Sequence, residues 1–389
     1  MIEIVQAYDR KHVADVQGDD AAALEKKLSR AFKLFKNRGS WLKPHQRLDI
    51  LHKLAALMQE RREKFGRLIA QEGGKPLTDA LIETDRAIDG VRAAADYLRT
   101  RSGREIPMGL TAASDNRRAW TLLEPIGVVA AISAFNHPLN LVVHQIAPAI
   151  ATGCPIIIKP ATATSLNCIE FVKLVHEAGM PQEWVQTFLP EENGLSQALA
   201  TDSRIAFLSF IGSAAVGWSL RSKLAPGARC ALEHGGVAPV IIDRSADIEK
   251  LIEPLAKGGY YHAGQVCVSV QRIYAHRSIM NEFTNLFRER VDRLVVGDPL
   301  LAETEVGPLI KPKEVDRVAT STLSPDQAQA ISSRLERISP CLLTSATRIS
   351  NARLPIDSSR PSRTSIRATG LRLKGPNLKT AFTTRTPVV

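Results

Sequence analysis

Apolar residues recur at helical spacing through the first hundred residues of the chain. Leu24, Leu28 and Phe32 share one face of a first helix. A later apolar face, which opens near a proline, runs up to Gly73-Gly74, and glycine pairs of this kind commonly end a helix. We therefore predict packing helices over residues 20–101, and they carry no visible catalytic pattern.

The helical period is lost at residues 103–124. Proline, glycine and polar residues there precede the apolar run Ala119–Leu123. This change predicts an arm or an edge hairpin.

Short apolar runs alternate with helix-like segments between Gly127 and Asp243. The runs lie at 128–133, 155–158, 184–189, 205–210 and 240–242, and the helical segments lie at 139–151, 164–178, 194–200 and 213–224. Continuous apolar runs between helices are typical of a parallel, doubly wound sheet. We therefore predict an α/β fold whose ligands bind beyond the carboxyl ends of the strands.

Polar residues and glycines follow several of these strands. Asn136 follows the first, Lys159 the second, and Gly212–Gly217 the fourth, while Glu233 follows a further short strand. Each has an ordinary alternative: a helix cap for the asparagine, a solvated surface charge for the lysine and the glutamate, and a turn that binds nothing for the glycines. Their joint occurrence at strand ends favours a ligand site.

A single cysteine stands in the segment Gly264–Arg272, after a Gly-Gln pair. A helix-like run precedes the segment, and the strand-like run Arg272–Tyr274 closes it. Cysteine serves either as a small core residue or as a nucleophile, and burial is the commoner fate when Cys267 is taken alone.

The positive charge of the chain is unevenly distributed. Of the net charge of +11, residues 319–389 carry +8 and the other 318 residues carry +3. The basic segment has one aromatic residue, Phe382, for stacking against bases. We therefore expect no nucleic-acid partner.

Cysteine usage and hydropathy indicate the compartment. The five cysteines form no Cys-x-x-Cys pair and no metal-binding spacing, so we expect free thiols and no metal. No apolar run is long enough to cross a bilayer, and Met1–Ile4 does not open a signal peptide. We therefore expect a cytoplasmic protein without a membrane partner.

Five motifs, taken together and in this order, resemble the aldehyde dehydrogenase superfamily over roughly residues 20–318. They are Phe135–Leu139, Lys159-Pro160, Phe210–Gly217, Glu233–Gly236 and Gly264–Arg272. The resemblance implies an NAD(P)-dependent enzyme that oxidises an aldehyde to a carboxylic acid. Cys267 would be the nucleophile, Asn136 and the Cys267 N–H would hold the oxyanion, and Glu233 would activate water for thioester hydrolysis.

The resemblance also implies a cofactor site. Its residues would be Lys159, Thr162, Phe210, Gly212, Ser213 and Gly217. Lys159 would reach the adenosine ribose, and Ser213 with the helix behind it would face the pyrophosphate. Many NAD-preferring relatives carry Glu where Thr162 stands, so we expect the site to accept NAD or NADP. His137 and His234 depart from the usual neighbours and suggest small hydroxylated or anionic aldehydes as substrates.

The resemblance divides the chain into three regions. Residues 1–232 would form the NAD(P)-binding domain, with 103–124 as the arm through which relatives form homo-oligomers, and 233–318 a partial catalytic domain. Residues 319–389 contain 21 Ser or Thr and no sustained period. We expect this tail to be disordered and to arise from truncation or a reading-frame shift. Two alternatives follow: a catalytically impaired remnant that binds nucleotide, and a relative that transfers the acyl group to coenzyme A.

Overall fold

The computed structural model describes residues 1–236 and 238–322 and two strands at 365–368 and 371–374. The expectation of a disordered tail over 319–389 falls mostly outside these residues and stays a prediction. Within the described residues, no helix combines the length and the apolar content that crossing a bilayer requires.

A β-ribbon and four helices form the first part of the chain. The strands are β1 (Ile2–Val5) and β2 (His12–Val16), and the helices are α1 (Ala21–Lys36), α2 (Pro44–Glu60), α3 (Arg62–Gly73) and α4 (Leu77–Thr100). Asp20 caps α1 by accepting a hydrogen bond from the Ala23 N–H, and Pro44 occupies the first turn of α2. The helices predicted over residues 20–101 are confirmed, whereas the ribbon was not predicted.

Residues 103–124 form the predicted hairpin. Strands β3 (Glu105–Ile106) and β4 (Ala119–Trp120) pair antiparallel. The side chains of Leu110, Trp120 and Leu122 are exposed. The role of this hairpin as an oligomerisation arm stays a prediction.

A five-stranded parallel sheet follows. Its strands are β5 (Val128–Ile132), β6 (Ile156–Lys159), β7 (Val185–Thr187), β8 (Ile205–Ile211) and β9 (Arg229–Glu233), in the order β7-β6-β5-β8-β9. The connecting helices are α5 (Asn140–Thr152), α6 (Ser165–Glu177), α7 (Asn193–Thr201) and α8 (Ala214–Arg221). Strand order reverses between β5 and β8, so the doubly wound sheet predicted from the sequence is confirmed.

The core of this sheet explains why its central strand, β5, is apolar without interruption. Every residue of β5 is buried. Val128, Ala130 and Ile132 pack in one cluster with α1 and α7, and the alternate residues of β5 point to the opposite face of the strand. A strand covered on both faces has no position at which a polar side chain could reach water.

A second sheet contains the remaining strands. Its strands are β10 (Pro239–Ile242), β11 (Arg272–Ala275), β12 (Ser365–Ala368) and β13 (Leu371–Lys374), in the order β10-β11-β13-β12. The helices in this part of the chain are α9 (Ile248–Tyr260), α10 (Met280–Asp292) and α11 (Pro312–Thr322). The sequence pattern grouped residues 240–242 with the first sheet, and this was wrong. Strand β9 pairs with β8 in the first sheet, and β10 pairs in parallel with β11 instead.

The chain divides into two compact units. The sheet unit comprises residues 1–4, 14–68 and 81–233, and the cysteine unit comprises residues 5–13, 69–80 and the described residues from 234 onward. In the cysteine unit, α9 and α10 pack against β10 and β11 through Tyr260, Phe283 and Phe287, all of them buried.

We expect Gly127→Ala to destabilise the sheet unit by roughly 1–3 kcal/mol, because a side chain there is both strained and crowded. Gly127 precedes β5 with φ +145°, and a Cβ at this position would lie 2.4 Å from the Cβ of Ala206. The shift of the urea unfolding midpoint measures the effect.

Gly194→Ala is the matched control, because the space around a Cβ at Gly194 is open and the residue lies in α7. Its free energy of unfolding should stay within about 0.5 kcal/mol of that of the parent. Equal losses in the two variants would contradict the steric argument.

Candidate active site

The register of the parallel sheet brings three of the predicted site residues to one edge. Ile132, the last residue of β5, pairs with Lys159 of β6 on one side and with Phe210 of β8 on the other. Ile211 in turn pairs with Glu233 at the end of β9. Because the strands are parallel, Lys159, Phe210 and Glu233 all lie at the carboxyl edge, where doubly wound sheets bind ligands.

Asn136 lies in the loop that joins this edge to α5. The helix begins at Asn140, with Leu139 at the cap position and no capping bond from its side chain. The amide N–H groups of Leu139 and Asn140 donate to Oε1 of Glu83, at 3.0 and 3.1 Å. Glu83, and not Asn136, therefore caps the helix, and the cap alternative for Asn136 was wrong.

The glycine turn after β8 is tightly built. The Gly212 N–H donates to the carbonyl of Glu233 at 3.0 Å. A Cβ on Gly212 would lie 2.7 Å from Cζ of Phe210, so the close approach of backbone to ring requires glycine. Ser213 is exposed at the N-cap of α8, and the Gly217 N–H donates to its carbonyl at 3.0 Å. The exposed N-terminus of α8 is suited to an anionic group.

Two further predicted cofactor residues follow β6. Lys159 is half-buried at the strand end, and Thr162 is exposed in the short 3-10 turn Thr162–Thr164. A cation and a neutral hydroxyl therefore stand beside the carboxyl edge of the sheet.

A glutamine that the sequence did not single out joins the two strands at the switch point. Nε2 of Gln145, on α5, donates to the carbonyls of Ile132 and Ser209 at 3.2 and 3.0 Å, and lies 3.0 Å from the Ser209 hydroxyl. The side chain is buried. It thus adds side-chain hydrogen bonds from α5 to the last residue of β5 and to Ser209 within β8.

The carboxylate of Glu233 interacts electrostatically with His144 on α5. Desolvation by the surrounding protein lowers the pKa of His144, although its side chain is exposed, and the Glu233 carboxylate acts in the opposite direction. With its pKa below the usual value of 6.5, His144 is mainly neutral at pH 7. It therefore adds little positive charge beside the carboxylate.

In the cysteine unit, the chain enters the cysteine segment through a strained turn. One residue beyond the end of α9, His262 and Ala263 adopt φ values of 48° and 55°. Left-handed conformation costs an L-residue roughly 1–2 kcal/mol. Two consecutive residues hold it only where the surroundings impose it.

Three charged side chains, two of them buried, surround the start of this turn. The ring of Tyr261 has the Lys75 ammonium 5.4 Å and the Lys257 ammonium 5.2 Å from its centroid. Lys257 pairs with Asp79 at 2.6 Å, and both Lys75 and Asp79 are buried. Cation–π contacts of this kind strengthen when they are desolvated, so this cluster fixes the tyrosine that precedes the strained pair.

Two glutamines fix the segment on either side of Cys267. Gln265 donates to the carbonyls of His262 and Pro308 at 3.1 and 3.4 Å and accepts from the Ile310 N–H at 3.0 Å. Gln271 donates to the carbonyl of Gly236 at 2.9 Å.

The Gly236 N–H donates to the carbonyl of Cys267 at 3.1 Å. The Glu-x-Gly-Gly turn and the cysteine segment, which the sequence presents as separate motifs, are thus joined by a backbone hydrogen bond. A Cβ on Gly236 would lie 3.3 Å from the Cys267 oxygen, which is tight for any residue other than glycine.

Cys267 itself is exposed, whereas Val266 and Ser269 beside it are buried. The described cysteines are not in disulfide bonds, and Cys154 and Cys168 are buried. Cys267 is thus exposed to solvent on a segment whose backbone is fixed by hydrogen bonds.

Comparison with known proteins gives a family and its members. The model described as "Aldehyde dehydrogenase family" matches residues 1–329, which extends the resemblance beyond residues 20–318 at both ends. The 3-sulfolactaldehyde dehydrogenase of Priestia aryabhattai is 34% identical over 317 residues, which are 82% of this chain and 66% of that protein. The lactaldehyde dehydrogenase of Methanocaldococcus jannaschii is 36% identical over 277 residues, 70% of this chain and 58% of that protein. The chain thus spans less than two thirds of the length of these relatives.

Solved structures agree in fold. The NADP complex of glyceraldehyde-3-phosphate dehydrogenase from Methanocaldococcus jannaschii superposes with a TM-score of 0.76 at 32% identity, covering 82% of this chain and 69% of that one. The NAD+ complex of betaine aldehyde dehydrogenase from Staphylococcus aureus gives a TM-score of 0.79 at 27% identity, covering 84% and 64%.

We expect iodoacetamide to alkylate Cys267 about a hundredfold faster than Cys154 and Cys168 in the folded chain, because buried thiols react only after local opening. Peptide mass spectrometry over a time course measures the three rates. In Cys267→Ser, the slow alkylation of the two buried thiols should be unchanged. Comparable rates at all three cysteines in the parent would contradict the exposure found here.

Proposed function

The chain belongs to the aldehyde dehydrogenase family, and from that premise we propose that it oxidises a small polar aldehyde to the carboxylic acid with NAD or NADP. The observation that carries the proposal is the convergence of Lys159, Phe210 and Glu233 at one edge of the sheet, with Asn136 in the loop that leaves it. The exposed thiol of Cys267, on a segment fixed by backbone hydrogen bonds, supports the same chemistry.

Cys267 begins the proposed reaction. Its thiolate sulfur bonds to the aldehyde carbon, and the carbonyl electron pair moves onto oxygen. The Asn136 amide and the Cys267 backbone N–H donate hydrogen bonds to that oxyanion, and preorganised donors of this kind stabilise the transition state by about 3 kcal/mol each. Collapse of the oxyanion expels the hydride and leaves a thioester on Cys267.

Glu233 completes the reaction. Its carboxylate takes a proton from water, whose oxygen attacks the thioester carbon while the carbon–sulfur bond breaks. The acid leaves, the thiolate is regenerated, and water supplies the new oxygen atom. When bound, the nicotinamide cofactor supplies the acceptor for the hydride.

The residues at the sheet edge fit a dinucleotide. Gly212 lets the backbone pass close to the Phe210 ring, and this leaves Ser213 and the N-terminus of α8 exposed for a pyrophosphate. We assign the adenosine ribose to Lys159 and Thr162, which lie beside that edge. The matching solved structures include both NADP and NAD+ complexes.

The relatives support a small polar aldehyde as substrate. Three of the four proteins compared above are named for 3-sulfolactaldehyde, lactaldehyde and glyceraldehyde 3-phosphate, all hydroxylated and two of them anionic, whereas the fourth is named for betaine aldehyde. We assign the same chemical class to this chain. His137 and His234 directly follow Asn136 and Glu233 in the sequence, and we assign them to the recognition of the polar part of the aldehyde.

Two substitutions separate the steps of the reaction. With D,L-lactaldehyde and either cofactor, Cys267→Ser should lower the rate at which reduced cofactor forms by at least about a thousandfold, because the hydroxyl is a far weaker nucleophile. Glu233→Gln should retain a single burst of reduced cofactor and then stall, since the thioester forms but hydrolyses slowly. Stopped-flow absorbance at 340 nm records both.

Product analysis with and without coenzyme A is the accompanying control. Free carboxylic acid in both reactions supports the hydrolytic reaction, whereas acyl-coenzyme A as the main product would replace it with acyl transfer. A Cys267→Ser variant as active as the parent would exclude the cysteine mechanism, and a parent that binds cofactor but shows no burst would support the nucleotide-binding remnant.

Thr162 tests cofactor choice. We expect the parent to use NAD and NADP with kcat/KM values that differ by less than a thousandfold. Thr162→Glu should lower kcat/KM for NADP about a hundredfold relative to NAD, because its carboxylate would repel the 2′-phosphate. Thr162→Gln places a neutral side chain of the same size as Glu at this position and should change the ratio of kcat/KM for NADP to that for NAD by less than about fivefold. Equal effects of Glu and Gln would show that charge at this position is irrelevant.

A further inference from the structure

Glu83 is a buried carboxylate outside all the motifs that identify the family site. It lies on α4 with a relative exposure of 1%. Its Oε1 accepts the amide hydrogens of Leu139 and Asn140, 56 and 57 residues later in the chain. A buried carboxylate is costly unless hydrogen bonds compensate its lost hydration, and these two amides do so.

The two amides belong to the start of α5. The first N–H groups of a helix have no partner within the helix and usually bond to a Ser, Thr, Asp or Asn at the N-cap. Leu139 occupies that position here and cannot serve. Glu83 therefore supplies the missing acceptor, and its negative charge faces the positive end of the helix dipole.

An arginine meets the opposite end of the same helix. Nη1 of Arg47, on α2, donates to the carbonyl of Ala151 at 2.5 Å, and the arginine is buried. Gln145 holds the middle of α5 to the ends of β5 and β8. The helix is thus held at both ends by side chains of the N-terminal helices, a hydrogen-bond acceptor at its start and a donor at its end.

This fixation controls where Asn136 lies. On the strand side of the loop, the Ser133 N–H donates to the carbonyl of Lys159 at 2.9 Å. On the helix side, the bonds to Glu83 begin at Leu139, and the Leu141 N–H donates to the carbonyl of His137 at 3.0 Å. Asn136 stands between these two anchors, so loss of the Glu83 bonds releases one side of its loop.

We propose that Glu83 is a positioning residue for the oxyanion-binding Asn136: its carboxylate sets the start of α5 and thereby the place of the asparagine amide. This inference rests on the role proposed for Asn136 above. Misplacement of a catalytic group by about 1 Å can cost on the order of a hundredfold in rate.

Amide hydrogen exchange tests the anchor without any reaction. In Glu83→Asp the carboxylate is one methylene short, so exchange in a peptide covering 134–142 should quicken at least about tenfold. Glu83→Gln keeps an oxygen acceptor at the same reach and should change exchange less than about threefold. Ile88→Val, a core substitution on the same helix, controls for general loosening, and equal exchange in the Asp and parent chains would overturn the anchor.

A double-mutant cycle tests the link to Asn136. The rate of the hydride-transfer burst should fall about a hundredfold in Asn136→Ala and about thirtyfold or more in Glu83→Asp, with aldehyde KM changed less than about threefold. Glu83→Gln should recover most of the rate. In the Asn136→Ala background, Glu83→Asp should lose less than about threefold more, because both act through one amide.

The two failures are distinguishable. An impaired Asn136→Ala beside an unimpaired Glu83→Asp overturns the inference on Glu83 alone, and so do fully multiplicative losses in the double variant. An Asn136→Ala burst at the parent rate overturns the oxyanion role in the proposed function, and the inference on Glu83 falls with it.

Discussion

In-register parallel pairing of β5 with β6 on one side and β8 on the other is the constraint on which the sheet unit depends. Ile132 pairs with both Lys159 and Phe210, so a slip of one residue in either pair would turn every side chain of that strand to the other face. Every residue of β5 is apolar and buried, so the close packing of side chains of particular sizes, and not an alternation of polar and apolar residues, opposes such a slip. The chemistry at the carboxyl edge is therefore placed by the core beneath it.

Much of this placement could be predicted from the sequence. Uninterrupted apolar runs between helices identify a covered parallel sheet, and strand ends identify the positions where polar residues matter. Asn136, Lys159 and Glu233 were found in this way. Residues 240–242 were misassigned because a short apolar run does not encode which sheet it joins, and pairing with residues 272–275 settles that question.

The contacts that hold the site in place could not be predicted. Glu83 and Arg47 act on α5 from 56 and 104 residues away, and nothing in their local pattern distinguishes them from solvated charges on a helix. The left-handed pair His262 and Ala263 is likewise invisible to propensity, since neither residue type requires that conformation. Local sequence specifies the helices, the strands and the reactive groups, whereas tertiary contacts specify where these groups lie.

The composition of the cysteine unit has a consequence for the order of folding. The Leu77 N–H donates to the carbonyl of Pro299 at 2.7 Å, and Asp79 pairs with Lys257, 178 residues later. At typical synthesis rates, Asp79 leaves the ribosome on the order of ten to forty seconds before its partner exists. Closing such a long loop also costs chain entropy before the contact forms, and this slows the folding of the contact. These two bonds of the segment 69–80 can therefore form only after the sheet unit has been synthesised, and the cysteine segment Gly264–Arg272 is among the last described parts of the chain to acquire its shape.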